Sequence, residues 1–136
     1  MVTYLDSSAA VKLAHREHGS EQLVAWLNSR PDLEMVSSVL VEVELYRALQ
    51  RYDPAALPNV PQVLARLVRV ELNATIRAMA GGYQQPLLRS LDAIHLATAR
   101  YVELSGAGQL AAFVAYDARL LEFAANERFQ VTAPGL

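Results

Sequence analysis

Of the five aspartates in this 136-residue sequence, three stand where a carboxylate can do chemistry. Asp6 follows the apolar run Val2–Leu5, Asp117 follows the apolar run that ends at Tyr116, and Asp92 opens an alanine-rich stretch that begins at Ser90. Asp32 and Asp53 sit beside Pro31 and Pro54, in ordinary turn chemistry. Each of the first three, taken alone, reads as a helix cap, because aspartate accepts from the free N–H groups of a first turn and gains from the helix dipole. Taken together they point elsewhere. The chain has no cysteine, three histidines in no convincing cluster and no glycine-rich phosphate loop. Converging carboxylates then have one economical use, which is to hold a hard divalent cation, Mg²⁺ or Mn²⁺, through oxygen ligands. Without a cation such groups repel and raise one another's pKa; with one they activate water and stabilise charge on a phosphodiester. Metal-dependent phosphodiester hydrolysis is the leading chemistry. A fourth carboxylate is expected from Glu42 or Glu44. Two residues apart on a helix, they point to nearly opposite sides and cannot serve one site. The apolar positions around them (Val39, Leu40, Val43, Leu45, Leu49) form a broad face that does not choose between the two.

Positioning these groups is a matter of alternating strands and helices. Val2–Leu5 reads as a strand, followed by a helix from Ala9 to about Glu17 that Ser7 or Ser8 can cap and His18-Gly19 closes. A second helix spans about Ser20 to Asn28. Glu34–Ser37 is a strand, and Ser37/Ser38 cap a helix to about Tyr52. A loop through Pro54, Pro58 and Pro61 leads to a short helix around Val63–Leu67. Val68–Leu72 alternates in strand fashion, Asn73 caps a helix ended by Gly81-Gly82, and Ser90 starts one that runs to about Glu103. Ala111–Tyr116, a helix from Asp117, and Phe129–Thr132 complete the order. The expectation is a single α/β domain over residues 1–136, with a mainly parallel central sheet of about five strands flanked by helices. In such sheets, ligands bind beyond the carboxyl ends of the strands, where Asp6 and Asp117 fall.

Composition bounds the function. At 53% hydrophobic and 19% charged, the chain is too apolar to be disordered, and its length suits one domain. Without cysteine it has no disulfide framework and no thiolate site. Neither a signal peptide nor a membrane-length apolar run is read, so a cytoplasmic protein with no membrane partner is expected. The net charge of −2 argues against a simple phosphate-coating basic protein. Yet with four of the 14 carboxylates withdrawn into a metal site, ten acids face 12 bases, of which 11 are arginine, the better bidentate phosphate donor. Nucleic acid stays open as a substrate.

The residues also carry a family resemblance over nearly the whole chain. Tyr4-Leu5-Asp6-Ser7-Ser8-Ala9, Ser38 with Glu44-Leu45-Tyr46-Arg47-Ala48, Leu88 through Ala99 around Asp92, and Val114-Ala115-Tyr116-Asp117-Ala118-Arg119-Leu120 resemble the PIN-domain family. The likeness is to its VapC-type ribonuclease toxins of bacterial toxin–antitoxin pairs. The Asp92 segment is the most specific of the four. The family's Glu-x-x-Arg-Ala pattern, six residues after a serine, falls on Glu44 rather than Glu42. The resemblance implies that Asp6, Glu44, Asp92 and Asp117 form an acidic cluster that holds Mg²⁺ or Mn²⁺ and cuts RNA. It further implies a homodimer and a VapB-type antitoxin whose C-terminal segment blocks the acidic site. Arg119 and Leu120 stand where some members carry a further acidic residue or Asn.

Other features are weaker. His95, three residues after Asp92, could be a proton shuttle or metal ligand, but a packed or solvent-bridging histidine is the plainer reading, because hard oxygen sites seldom need imidazole. His15 and His18 read as local helix-end residues. Trp26, with Leu23 and Leu27, reads as core or a protein interface, and Val39, Val43 and Tyr46 add apolar surface that suggests association. Arg47, Arg51, Arg66 and Arg69 could meet phosphate, though exposed arginine is usually a solvated face. Two other functions compete with the nuclease. A receiver-type phosphoacceptor needs a lysine after a late strand, and the only lysine is Lys12. A non-catalytic PIN-like RNA-binding or scaffold module is disfavoured by the presence of all four acids.

Overall fold

The first residues of the chain end at the centre of the molecule. The computed structural model describes residues 1–136, leaving aside the side chain of Ala107. In it Val2–Leu5 (β1) lies between Glu34–Ser38 (β2) and Ala112–Val114 (β4), with Val68–Val70 (β3) and Val131–Thr132 (β5) at the edges. All four pairings are parallel, in the order β3-β2-β1-β4-β5, with Tyr4 opposite Val36 on one side and Phe113 on the other. The expected α/β class and five-stranded sheet are both present. A central parallel strand is covered on both faces, which is why β1 is buried throughout. Thr3 is tolerated there because its hydroxyl donates to the Ala112 carbonyl.

Seven helices cover the sheet: Ser7–Ala14 (α1), Ser20–Asn28 (α2), Val41–Tyr52 (α3), Val60–Ala65 (α4), Ala74–Gly81 (α5), Ser90–Val102 (α6) and Ala118–Asn126 (α7). Alternation along β1 divides the core in two. Leu5 joins Leu23, Leu45, Leu49 and Val60 from α2, α3 and α4, whereas Tyr4 joins Leu96, Phe113, Leu120 and Phe129. Each fully buried leucine stabilises the fold by about 1.5–3 kcal/mol relative to exposure. The two faces are thus anchored independently, and the carboxyl edge between them is where the helices begin.

Several boundaries differ from expectation, each for a local reason. The cap of α1 is Asp6, not Ser7 or Ser8: its Oδ1 accepts from Ala9 N–H at 3.1 Å. The helix stops at Ala14 because His15 turns extended, and Lys12 then folds over the turn to donate to Glu17 and the His18 carbonyl. The proline-rich stretch is not an open loop. Pro54–Asn59 forms a 3₁₀ segment that runs into α4, since proline in a first turn lacks only an N–H that has no partner there anyway. The third strand ends at Val70, whose carbonyl accepts from Val39 N–H. At the far end of the chain, Gly135 lies so close to Gly19 that a Cβ on it would stand 2.9 Å from the Gly19 Cα, and Tyr116 Oη donates to the Pro134 carbonyl. Of the apolar surface suspected of driving association, Leu23 and Leu27 are core and Trp26 packs on it, whereas Val43 and Tyr46 stay exposed.

Candidate active site

The four acids arrive on four different elements. Asp6 ends β1, and its N–H donates to the Val114 carbonyl, so the strand pairing itself fixes its backbone. Ser8 Oγ donates to Asp6 Oδ1 at 2.6 Å and accepts from Tyr116 N–H at 2.9 Å, which ties the carboxylate to the β4 exit. Asp6 is only 4% exposed. No buried side-chain oxygen among the described residues lacks a partner, so its second oxygen, which accepts no hydrogen bond there, opens to the surface. Burial pushes the Asp6 carboxyl up to about 6, with the Glu44 charge adding to it, while His95 and the Ser8 and Ala9 hydrogen bonds pull the other way.

Glu44 enters from the first turn of α3. Its Oε1 accepts from His95 Nε2 at 2.7 Å, and its Oε2 lies 3.4 Å from Ser7 Oγ. Glu42 leaves on the other side of α3 and pairs with Arg69 on β3 at 2.9 Å, in solvent. The helix geometry that allowed only one of the two has therefore chosen Glu44. Asp92 lies in the first turn of α6, half-buried, and accepts no hydrogen bond among the described residues. Burial raises its pKa, the Asp117 and Glu44 charges add to the rise, and His95 and Arg89 oppose it. Asp117 is exposed at the start of α7, where Oδ1 accepts from Arg119 and Leu120 N–H and Oδ2 is left over. So Asp6 and Asp92 both feel Glu44, and Asp92 feels Asp117: all four belong to one electrostatic neighbourhood.

His95 is the site residue that sequence reasoning undervalued. It is 1% exposed and bridges two elements: Tyr4 Oη lies 2.7 Å from Nδ1, and Nε2 meets Glu44. Burial alone would lower its pKa, but the Glu44 hydrogen bond and charge, with Asp6 and Asp92, bring a net rise. A histidine between Ile94 and Leu96 on a helix gives no direct sign of a glutamate 51 residues away; the one available signal is that a buried imidazole needs two partners. His15 ends α1 as expected but is not only local, since its Nδ1 lies 2.9 Å from Asp53 Oδ2, 38 residues further on. Arg47, Arg51 and Arg66 are exposed.

The donor set fits a hard cation in kind: among the described residues Asp92 accepts no hydrogen bond, and Asp6 and Asp117 each keep one carboxylate oxygen that accepts none. Among the described residues no three His, Cys, Asp or Glu side chains are gathered tightly enough to hold an ion as they stand. A cleft of about 310 Å³ next to the start of α1 is lined in part by Ser7, Ser8, Lys12, Tyr52 and Tyr116, and none of the four acids lines it. No helix among the described residues is long and apolar enough to cross a membrane.

Comparison with known proteins bears on this arrangement. A family model for the PIN domain matches residues 3–126. Ribonuclease VapC35 of Mycobacterium tuberculosis strain H37Rv is 49% identical over 132 residues, covering 97% of this chain and 96% of that protein. Ribonuclease VapC46 of the same strain is 38% identical over 131 residues, covering 96% of each. Among solved structures, that of VapBC2 from Rickettsia felis bound to a DNA fragment from their promoter superposes with a TM-score of 0.68 at 12% identity, over 98% of this chain and 99% of the matched chain, a likeness of fold.

Proposed function

Since the chain belongs to the PIN-domain family, among its VapC ribonucleases, we propose that it is a toxin of a toxin–antitoxin pair that hydrolyses RNA phosphodiester bonds at Asp6, Glu44, Asp92 and Asp117. The observation that carries this reading is the delivery of four acids, spread over 112 positions of sequence, to one sheet edge where their charges act on one another. Mg²⁺ or Mn²⁺, held by these four carboxylates, would supply charge neutralisation and a more acidic water. The chain's own contribution is to hold the acids ready. Asp6 is fixed by Ser8 and the first turn of α1, and Glu44 by His95. The N-termini of α6 and α7 place Asp92 and Asp117 across from them. Unpaired RNA is the expected substrate form, because its backbone can enter a cleft that a duplex cannot.

A cytoplasmic homodimer with a VapB-type antitoxin is the expected assembly. Exposed Val24 borders a groove between α1 and α2 lined by Lys12, Leu13, Arg16 and Ala25. An amphipathic antitoxin segment fits such a groove, and a basic side chain beyond it would neutralise the crowded acids. The test is RNA cleavage with Mg²⁺ or Mn²⁺, with and without EDTA, by the free protein and by its co-expressed complex with the protein encoded beside it. Cleavage that needs the metal and is suppressed in the complex is expected. Metal-independent cleavage, or none by the folded protein on a panel of structured RNAs, would overturn the reading.

A further inference from the structure

We propose that Tyr4 and His95 are positioning residues, a buried hydrogen-bond chain that keeps a proton on His95 Nε2, ties down Glu44 Oε1 and leaves Oε2 as the oxygen offered to the cation. This rests on the metal-dependent nuclease reading above. The direction of the chain follows from counting protons. Ser37 and Thr98 flank the Tyr4 hydroxyl, but each has a single proton and each gives it to a backbone carbonyl, Leu5 and Ile94 respectively, at 2.6 Å. Neither hydroxyl therefore gives Tyr4 a proton, and because the Glu44 carboxylate facing Nε2 can only accept, a neutral ring keeps its hydrogen on Nε2 and accepts from Tyr4 at Nδ1, at 2.7 Å, so that Tyr4 and Glu44 hold that tautomer together. A neutral imidazole that accepts at Nδ1 carries its hydrogen on Nε2, which faces Glu44 Oε1 at 2.7 Å. A protonated ring would also donate from Nε2. In either state Glu44 receives a hydrogen bond from the interior.

Packing does not account for this pair. Both side chains are essentially sealed from solvent, in a core face otherwise made of Leu96, Phe113, Leu120 and Phe129. A phenylalanine and a leucine would fill the space without two polar groups to satisfy. Tyr4 sits on the central strand, stacked on Phe113 with ring centroids 5.3 Å apart, and His95 meets it edge-on at 5.8 Å. The chain thus runs from the most rigid part of the sheet through α6 to α3. Groups that orient a metal-binding side chain in this way typically contribute 10–100-fold to metal affinity or activity.

Three variants test this. His95→Gln retains an N–H near the Nε2 position, His95→Leu keeps the bulk without it, and Tyr4→Phe removes only the hydroxyl that helps hold the ring tautomer. Mn²⁺ affinity would be measured by electron paramagnetic resonance on RNA-free protein. The ring nitrogens of His95 would be followed by ¹⁵N NMR on metal-free protein, and cleavage would be recorded alongside. We expect His95→Leu to weaken Mn²⁺ binding by about 10–100-fold, His95→Gln to recover most of that, and Tyr4→Phe to fall between while loosening the tautomer. Should His95→Leu fail to fold, the other two variants and the ring spectrum still decide. Wild-type Nε2 found without a proton, or Mn²⁺ affinity unchanged in Tyr4→Phe and in folded His95→Leu, would overturn the proposal while leaving the nuclease intact. A wild-type protein that neither binds Mn²⁺ nor cleaves RNA would overturn both.

Discussion

The two halves of the acidic edge are built differently. Asp6 and Glu44 are held from inside the protein: one accepts from Ser8 and a helix N–H, the other from a buried histidine anchored on the central strand. Asp92 and Asp117 stand at helix starts facing outward, the first with no hydrogen bond among the described residues and the second held by one oxygen only. One wall is held by hydrogen bonds to the interior, and the other by far fewer. A site of this kind keeps part of its ligand shell fixed and lets cation and substrate phosphate complete the rest, which suits Mg²⁺, an ion reluctant to give up its waters.

The hardest test of that contrast is loss of an acid from each wall. Asp6→Asn and Asp92→Asn should both reduce RNA cleavage to the EDTA background in folded protein. Either variant cleaving at the wild-type rate breaks the picture of a shared site. On the held wall, Glu44→Gln should cripple cleavage, whereas Glu42→Gln, which loses only a solvent-exposed pair with Arg69, should stay within about twofold. Equal effects from the two would mean that the side chosen by α3 does not matter.

Smaller effects sharpen the comparison through stability. The folded protein holds the Asp6 carboxyl at about 6, above its ordinary 3.8. Its ionisation is disfavoured by folding, so the stability it leaves intact below pH 3.8 is lost as pH rises through about 6. Asn keeps the cap on α1 without the charge. Metal-free Asp6→Asn should therefore exceed wild type at pH 7 by on the order of 1–3 kcal/mol. The gap should close toward pH 4, as read by urea unfolding in EDTA. A variant weaker than wild type at pH 7 would show that the fixed wall carries no strain. The smallest effect belongs to the open wall. Asp117→Ala should cost about 1 kcal/mol through its lost cap, and Asp117→Asn only a few tenths. A larger loss in the Asn variant would mean that this residue is held by more than its helix.

Much of this was legible in the sequence because the relevant signals are local. Apolar runs that end at Asp6 and at Tyr116, and a helix opened by Ser90, located three of the acids without any knowledge of packing. The choice of α1 cap was not local. Asp6, Ser7 and Ser8 are all good caps, and the long-range bond from Asp6 N–H to the Val114 carbonyl fixes which one sits at the turn. Pro54 and Pro61 disguise two helical segments as a loop, because proline is disfavoured in a helix interior but suits a first turn. His95 was read toward Asp92, its neighbour at helical spacing, when its partners lie 51 and 91 residues away. Side chains that join elements distant in sequence leave no periodic trace.

The central place of the first strand also sets a timetable. Asp6 is made before the other three acids, yet its strand gains its second neighbour only with Ala112–Val114, and the last acid, Asp117, comes later still. Pairings so distant along the chain form late in folding, after the loop between them has been closed. A partly synthesised chain carries the acidic groups but no edge on which to gather them. On this order the four acids cannot share one edge before Ala112–Val114 and the Asp117 that follows it have been made.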